Sequence, residues 1–463
     1  MQNPFRSIHF IGICGTAMGA VAAALKDAGY DVTGSDENVY PPMSTFLEGK
    51  GIRIMQGFKP ENLAHKPDLI VVGNAIKRST EELEAVLEQK LYYLSLPEVL
   101  KQFFLRGRHN LVVTGTHGKT TTTSILSWIF EYAGKNPSYM IGGIPKNLSQ
   151  GCIIRDSKHF ILEGDEYDTA FFDKRSKFLH YLPELVIMNN LEFDHADIFS
   201  SLEDVKTTFK RLINIIPRNG MIVYNEDDEN IRSIIDGAFS SLVSVGTSEN
   251  AALQIQNCKY FSDRSEWTLK GLGNFKLRMI GEINIRNASM AIAAAHFYQI
   301  PVNIICEAVE KFEGIKRRQE VRGEVNGITI IDDFGHHPTA MKQTFTALHH
   351  RYPGRKVWAI FEPRSNTTRR NIFQKELAEA LSMADGIFVS KVHLLEKIPV
   401  AERLNPEKVM EDIRAKGKPA FYEADADAIV AKAKSHIKPG DVVVVFSNGG
   451  FDGIHQKLID TLK

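Results

Sequence analysis

Short apolar runs alternate with amphipathic segments along most of the 463-residue chain. The runs span four to six residues, the length of a strand, and most are followed at once by glycine, asparagine or an acidic residue. Such runs between helical patterns are typical of parallel strands that are buried on both faces. The clearest predicted strands are 110–114, 159–162, 185–188, 221–224, 327–331, 356–361, 386–390 and 441–446. The pattern predicts an α/β protein.

The chain is longer than one hydrophobic core usually supports, so we expect several domains. Glycine-marked turns and changes in the strand pattern divide it into three units. We predict domains at 1–107, 108–314 and 315–463. The first and third have the strand–helix alternation of a Rossmann-like sheet.

The strongest local signal is the glycine turn at 115–118, Gly-Thr-His-Gly, which separates the predicted strand 110–114 from a predicted helix. The helix begins with Lys119 and Thr120, so backbone N–H groups and a lysine would face a bound phosphate, and the threonine hydroxyl would ligate Mg²⁺. The spacing is G-x-x-G-K-T, because Val113 stands where the general phosphate-binding loop has glycine. The alternative is an ordinary helix start capped by threonine. Four successive threonines, which are poor helix formers, argue against it.

A second glycine turn lies within 7–36, which has the pattern strand, turn, helix, strand. Gly12, Gly15 and Gly19 form a G-x-x-G-x-x-x-G spacing, and Asp36 follows the second strand. This is typical of a Rossmann-like unit that holds a diphosphate at a helix N-terminus. The spacing differs from G-x-G-x-x-G, so NAD does not follow from it. Close helix–strand packing without a ligand remains the alternative.

Acidic residues and a histidine follow two strands of the central unit. Residues 163–168 are Glu-Gly-Asp-Glu-Tyr-Asp, and 190–195 are Asn-Leu-Glu-Phe-Asp-His. Ligands of open α/β sheets bind at the carboxyl ends of the strands, and Mg²⁺ on a triphosphate takes one or two protein carboxylates. Glu163 and His195 are therefore candidate metal ligands or supporting groups. A solvated acidic loop is the alternative.

Two histidines lie beside two aspartates in the third unit, within Asp-Asp-Phe-Gly-His-His-Pro-Thr at 332–339. They could form a metal site, or a helix cap together with a substrate contact. Pro338 favours the second interpretation, because proline is common at the first position of a helix.

The balance of charged residues argues against a protein that binds nucleic acid or a membrane surface. Lys and Arg number 56 and Asp and Glu also number 56, which leaves no net field to favour nucleic acid or a membrane surface. The four cysteines are scattered without a C-x-x-C pair, as expected in a reducing cytoplasm. No run is long and apolar enough to span a bilayer, and the glycine-broken run at 8–25 is not typical of a signal peptide. We expect a cytoplasmic protein without an obligate protein partner.

Together these motifs resemble one family, the ATP-dependent Mur ligases of peptidoglycan synthesis. The resemblance rests on T-G-T-H-G-K-T-T at 114–121, on the two acidic motifs above, on the pair Arg317-Arg318, and on the motif at 332–339. It implies an N-terminal Rossmann-like UDP-binding domain, a central P-loop ATPase domain and a C-terminal Rossmann-like domain.

Within the family, the chain resembles the branch that acts on UDP-N-acetylmuramate. One member of the branch adds L-alanine in de novo synthesis. Another adds the tripeptide L-Ala-γ-D-Glu-meso-diaminopimelate in peptidoglycan recycling. The stretches that resemble the tripeptide-adding member are 166–177, 362–367, 447–451 and 455–458. The alanine ligase remains the alternative, and the third residue of the peptide, diaminopimelate or lysine, stays open.

The resemblance also implies a mechanism and a set of site residues. The muramoyl carboxylate would attack the γ-phosphate of ATP, and the peptide amine would then take the acyl group from the acyl phosphate. Lys119, His195 and Arg318 would be catalytic. The metal ligands would be Thr120, Glu163, Glu166 and His195. The ATP contacts would be Gly115, Thr116, His117, Gly118, Lys119, Thr120, Thr121, Asn284, Arg318 and Asp333. The UDP-substrate contacts would be Gly12, Gly15, Thr16, Ala17, Met18, Ser35, Asp36 and Asn74. The peptide contacts would be His336, Arg364 and Asn366.

Two features depart from the family pattern. Ile283 replaces the histidine of the usual G-x-H-N motif beside Asn284. Some members carbamoylate a lysine near the metals. Here Lys210 is the first candidate and Lys206 the second, unless the modification is absent. The rivals from other classes are a nicotinamide-dependent oxidoreductase and a non-catalytic nucleotide-binding regulator.

Overall fold

The computed structural model describes residues 5–463, in which three sheets account for all but two of the strands. The first sheet is parallel, with the order β3-β2-β1-β4-β5. Its strands are β1 (Ser7–Ile11), β2 (Asp31–Asp36), β3 (Arg53–Gln56), β4 (Leu69–Val72) and β5 (Tyr93–Ser95). The helices of this part are α1 (Thr16–Asp27), α2 (Met43–Gly49), α3 (Glu81–Glu88) and α4 (Leu96–Leu100).

The central part contains a sheet of ten strands whose middle is parallel and whose two ends are antiparallel. Its strands are β6 (His109–Thr114), β7 (Ser138–Met140), β8 (Cys152–Ile153), β9 (His159–Glu163), β12 (Leu185–Met188), β13 (Met221–Asn225), β14 (Ser241–Gly246), β15 (Leu253–Tyr260), β16 (Ser265–Leu269) and β17 (Gly273–Leu277). A separate hairpin consists of β10 (Asp168–Ala170) and β11 (Asp173–Ser176). The helices are α5 (Lys119–Tyr132), α6 (Leu202–Asn214), α7 (Glu229–Ile235), α8 (Glu282–Phe297) and α9 (Val302–Glu310).

The third sheet has six strands in the order β18-β19-β23-β20-β21-β22, and only the edge strand β18 is antiparallel to its neighbour. Its strands are β18 (Glu320–Val325), β19 (Ile328–Asp333), β20 (Val357–Phe361), β21 (Gly386–Ser390), β22 (Ala420–Glu423) and β23 (Val442–Phe446). The helices are α10 (Pro338–Arg351), α11 (Gln374–Leu381), α12 (Pro406–Ala415), α13 (Ala426–His436) and α14 (Ile454–Thr461).

The predicted α/β fold is confirmed, and the predicted strands recur to within about two residues. Each of the three sheets falls inside one predicted domain range, although the domain limits themselves stay a prediction. Strands β15 to β17 form a three-stranded antiparallel meander. Helix α8 starts at Glu282, directly after Gly281, whose positive φ of 107° glycine readily adopts.

The hairpin β10–β11 connects the central part to the first sheet. Phe171 and Phe172, at its turn, pack against the apolar cluster around β4 and α3. The Phe172 ring meets Tyr93 of β5 edge to face, with centroids 5.0 Å apart. Aromatic contacts of this kind stabilise an interface beyond their buried area. The hairpin is therefore part of the contact between these two units. Among the described residues, no helix has the length and apolarity needed to cross a membrane.

Candidate active site

The turn at 115–118, which the sequence predicts to bind phosphate and which is called the phosphate-binding turn below, is tight. Strand β6 ends at Thr114 and α5 begins at Lys119, with Gly118 between them at φ +80°. A Cβ atom on Gly118 would lie 2.4 Å from Oδ1 of Asn287, so a larger residue does not fit without displacing that side chain. The turn therefore keeps its backbone open at the N-terminus of a 14-residue helix, where N–H groups can meet an anion.

Lys119, Glu166 and His195 lie together at this turn. The Lys119 ammonium donates hydrogen bonds to the Gly115 carbonyl at 2.6 Å and to Glu166 Oε1 at 2.8 Å. The same Glu166 oxygen is 2.9 Å from His195 Nε2. Burial alone would lower the pKa of Lys119, but the carboxylate of Glu166 outweighs it and raises that pKa. Burial likewise opposes ionisation of Glu166, yet Lys119 and His195 lower its pKa.

Glu163 and Thr120 form a second group of contacting side chains at the same turn. The Thr120 hydroxyl donates to Glu163 Oε1 at 2.9 Å, and the Gly142 N–H donates to Oε2 at 2.7 Å. Burial raises the pKa of Glu163, so its charged form needs a cation nearby. Arg318, from the linker to the third sheet, places Nη2 3.4 Å from the Thr120 hydroxyl.

The four predicted metal ligands form two hydrogen-bonded pairs at this turn, Thr120 with Glu163 and Glu166 with His195. Glu166 Oε2 is buried and has no hydrogen-bond partner, which leaves one carboxylate oxygen free to accept a cation. A hydroxyl and carboxylates are oxygen donors of the kind that Mg²⁺ prefers. This group of residues fits Mg²⁺ beside a phosphate chain.

The loop after β12 braces the phosphate-binding turn. Asn190 accepts a 2.7 Å hydrogen bond from the His117 N–H and donates a 3.0 Å bond to the His117 carbonyl. The Thr116 hydroxyl accepts from the Glu192 N–H at 2.8 Å. Sequence reasoning did not assign Asn190 and Glu192 to the site. The signal was available, because both belong to the motif at 190–195.

Arg317 and Arg318 contact different parts of the protein. Arg317 donates to the Ser447 and Gly449 carbonyls, both at 2.7 Å, within the C-terminal part. Only Arg318 faces Thr120. Asp333, a predicted ATP contact, accepts hydrogen bonds from the Gln319 N–H at 2.9 Å and the Gly335 N–H at 2.7 Å. Burial raises the pKa of Asp333. In this structure its carboxylate holds the segment that carries Arg318.

Thr121 and Asn284, two further predicted ATP contacts, are buried. Asn284 lies in the first turn of α8 and donates a 2.8 Å hydrogen bond to the Ile280 carbonyl. Asn287, three residues later, approaches Gly118. Helix α8 therefore places its first turn, which contains Ile283 and Asn284, near the phosphate-binding turn.

The predicted UDP residues gather at the carboxyl ends of β1, β2 and β4. Gly12 has φ +88°, and its N–H donates to the Ser35 carbonyl at 2.8 Å. Asp36 accepts the backbone N–H groups of Cys14 and Asn38, both at 2.9 Å. This carboxylate therefore shapes the turn itself. The remaining members differ in exposure: Thr16 and Asn74 are exposed, Gly15 and Ala17 are at least partly exposed, and Met18 is buried.

Two of the three predicted peptide contacts, His336 and Asn366, face the central part. His336 Nε2 is 4.0 Å from Asp194 Oδ2, and Asn366 donates to Asp197 Oδ2 at 2.8 Å. Burial lowers the pKa of His336. Arg364 is exposed, and its Nη1 is 3.4 Å from Glu362 Oε1. Two of the three residues thus lie at the contact between the central and C-terminal parts.

The interpretation of the histidine pair as a helix cap is confirmed for His337. It is the N-cap of α10, its Nδ1 accepts the Thr339 N–H at 3.3 Å, and Pro338 is the first helical residue.

The two candidate lysines lie on α6. Lys210 is exposed and lines a cavity of about 250 Å³ with residues of α6 and α7, such as Ser233. Lys206 lies 3.5 Å from Glu203 of the same helix. Thr208 and Arg211 are the α6 residues that share a cavity with Glu166. Lys210 therefore does not line the cavity that Glu166 lines.

Comparison with known proteins identifies the family of this chain. Residues 7–108 match the model of the Mur ligase family catalytic domain, 113–295 the Mur ligase middle domain, and 317–449 the Mur ligase glutamate ligase domain. The chain is 43% identical to UDP-N-acetylmuramate--L-alanyl-gamma-D-glutamyl-meso-2,6-diaminoheptandioate ligase of Escherichia coli, over 98% of each chain. The chain belongs to the Mur ligase family. It is therefore an ATP-dependent ligase that forms an amide bond.

Two further relatives place the chain within this family. It is 36% identical to a murein peptide ligase of Psychrobacter arcticus whose crystal structure it matches with a TM-score of 0.71 over 98% of each chain. It is 31% identical to a UDP-N-acetylmuramate--L-alanine ligase of Dictyoglomus turgidum, over 98% of this chain and 96% of that one. Membership of this ligase family leaves the oxidoreductase and the non-catalytic regulator without support.

Proposed function

We propose that this Mur ligase joins UDP-N-acetylmuramate to the tripeptide L-Ala-γ-D-Glu-meso-diaminopimelate in peptidoglycan recycling. The observation that carries the proposal is the 43% identity, along 98% of both chains, to a relative named for this reaction. Identity to the alanine ligase quoted above is 31%. The proposal implies a cytoplasmic location, where ATP is available, and the four unpaired cysteines are consistent with it.

The chemical problem is to bring a carboxylate to a triphosphate, since both are anions. In our proposal, Lys119 and Arg318 contact the phosphates and offset their charge as the muramoyl carboxylate attacks. Their positions support this assignment, because both approach Thr120 or the turn before it. Thr120, Glu163, Glu166 and His195 would hold Mg²⁺, which when bound neutralises phosphate charge and orients the γ-phosphoryl group. The turn 115–118 and Thr121, with Asn284 and Asp333 further along ATP, complete the proposed nucleotide site.

The proposed UDP site is the glycine turn of the first sheet. Gly15, Thr16 and Ala17 would offer backbone N–H groups to the diphosphate at the start of α1, and Gly12 would let the turn approach it closely. Met18 is 6% exposed, so we assign it a backbone contact only. Ser35 and Asp36 lie at the end of β2, on the side where the uridine would bind, and Asn74 follows β4.

The proposed peptide site lies between the central and C-terminal parts, at His336, Arg364 and Asn366. Arg364 is the exposed cation of this group, and the tripeptide carries several carboxylates that a guanidinium can bind. His336 and Asn366 now contact Asp194 and Asp197, so the incoming peptide would replace or extend these contacts.

Phosphate release from MgATP and UDP-N-acetylmuramate tests the proposal, with the tripeptide and L-alanine as alternative acceptors. We expect turnover with the tripeptide and little with L-alanine. A second tripeptide with lysine in the third position tests selectivity for diaminopimelate. Turnover with L-alanine alone would reassign the chain to the de novo step.

A further inference from the structure

Three side chains outside the proposed Mg²⁺ site converge on one point: His117 of the phosphate-binding turn, Glu192 after β12, and His337 at the start of α10. Their candidate ligand atoms all lie within 4.8 Å of one another. Glu192 Oε2 is 3.6 Å from His117 Nε2 and 3.7 Å from His337 Nδ1. Two of these residues belong to the central part and the third to the C-terminal part.

The two imidazoles are buried without adequate partners. The side chain of His117 is 9% exposed and that of His337 is 5% exposed. The Nε2 atom of His117, which faces Glu192, is buried and lacks a hydrogen-bond partner. A buried polar atom in this state carries a cost that a ligand would remove. The one side-chain hydrogen bond of His337, its cap to Thr339, is long at 3.3 Å, so a ligand would replace a weak contact.

The arrangement suits a metal ion with nitrogen and oxygen ligands. In a tetrahedral site with bonds of about 2.1 Å, neighbouring ligand atoms lie about 3.4 Å apart, which is close to the 3.6 and 3.7 Å found here. Thr339 donates a 2.7 Å hydrogen bond to Glu192 Oε2 and so orients the carboxylate, as supporting residues do in metal sites.

We propose that His117, Glu192 and His337 form a binding site for Zn²⁺, separate from the Mg²⁺ site and joining the central and C-terminal parts. Two imidazoles and one carboxylate are ligands typical of Zn²⁺, whereas the centre at Thr120 and Glu163 offers mainly oxygen. The bound ion would leave one position for water and would hold α10 against the phosphate-binding turn.

Cobalt is the probe for the test, because Co²⁺ takes Zn²⁺ sites and absorbs visible light strongly only in four- or five-coordinate sites. The full chain is titrated with Co²⁺ in the presence of millimolar Mg²⁺. We expect one strongly absorbing equivalent that Zn²⁺ displaces. Glu192→Gln and His337→Asn should each weaken this binding roughly 100-fold or more. His349→Asn, which removes an exposed histidine from the same helix, should not change it.

The possible outcomes distinguish the proposed Zn²⁺ site from the proposed Mg²⁺ site. A weak spectrum typical of six-coordinate cobalt in the unmodified protein would overturn the proposal, and so would a strong spectrum that only Glu163→Gln removes. Far-ultraviolet circular dichroism checks that the variants fold. A test that needs no variant is X-ray absorption at the zinc edge of the unmodified protein. Two imidazole ligands would support the site, and fewer would refute it.

Discussion

The hydroxyl of Thr367 donates a buried 2.7 Å hydrogen bond to Asp194 Oδ1, and this bond joins the C-terminal part to the loop that carries His195. Asp194 is 5% exposed. Burial opposes its charge, but His195 and His336 outweigh burial and lower the pKa of Asp194. The bond is thus made to an ionised acceptor, where hydrogen bonds are strongest. A single threonine thus links the C-terminal part to the loop of His195.

Replacing Thr367 with valine removes this bond while keeping the side-chain shape. We expect kcat for phosphate release to fall roughly 5- to 150-fold, because a coupling of about 1–3 kcal/mol between the two parts is lost. Thr368→Val is the matched control, since the Thr368 hydroxyl contacts Ser365 within its own loop. Equal losses in both variants would mean that the loop, and not the bond to Asp194, sets the rate.

Replacing Lys119 with alanine should reduce turnover by roughly 10²- to 10³-fold or more, because the phosphates lose a fixed cation. Binding of UDP-N-acetylmuramate, measured by calorimetry, should remain nearly unchanged, since its proposed site lies on another sheet. Lys408→Ala, on the surface of α12, is the control.

Removing Lys119 also leaves Glu166 buried without its main cation. We therefore expect a lower melting temperature in Lys119→Ala. Adding Glu166→Gln should recover part of that loss without restoring turnover. If UDP-substrate binding disappears together with turnover in the thermally recovered double variant, the assignment of Lys119 to the ATP site is wrong.

Gly118→Ala tests the shape of the phosphate-binding turn. The new Cβ would meet Asn287 Oδ1 at 2.4 Å, in a backbone conformation that alanine adopts only with strain. We expect about 1–3 kcal/mol of lost stability and ATP binding that is at least roughly 10-fold weaker. Gly237→Ala is the control, because no atom lies within 4 Å of its added Cβ. ATP affinity at the original level in Gly118→Ala would show that the turn does not hold the phosphates.

Features set by neighbouring residues could be predicted from the sequence, and contacts between distant segments could not. The turn at 115–118 and the acidic strand ends could be predicted, because glycine conformation and strand direction are local properties. Contacts between the three units could not be predicted in this way. Neither the bond from Thr367 to Asp194 nor the approach of His337 to Glu192 has a periodic signal, since each joins residues more than a hundred positions apart.

Several strands that the sequence did not reveal lie at the edges of sheets. β18, for example, has no fully buried residue, so it lacks the apolar run that marked β19 and β23. The hydrogen-bond partners of buried polar side chains also could not be predicted from the sequence. The family resemblance implied that Asp36 contacts the UDP substrate and Asp333 contacts ATP, whereas the hydrogen bonds of both carboxylates to backbone N–H groups became visible only in the structure.

His159, at the start of β9, should make the protein sensitive to mild acid. Its ring lies among Phe130, Tyr298 and His109, with centroids 5.2, 5.6 and 5.4 Å away. Burial, helped by the charge of His109, lowers the pKa of His159 from 6.5 to about 4. The unfolded chain therefore takes up a proton below pH 6.5 that the native protein does not, and the free energy of unfolding falls as the pH drops towards 4.

In His159→Gln this contribution is absent, so we expect the loss of stability between pH 6.5 and 4 to be smaller by roughly 1 kcal/mol, because the ring is only partly shielded from water. Urea unfolding at several pH values measures the difference. His349→Gln, at an exposed position, controls for loss of a histidine, and the other buried histidines contribute equally to all three proteins. Parallel curves for the original protein and His159→Gln would mean that the ring is protonated as easily in the native state as in the unfolded chain.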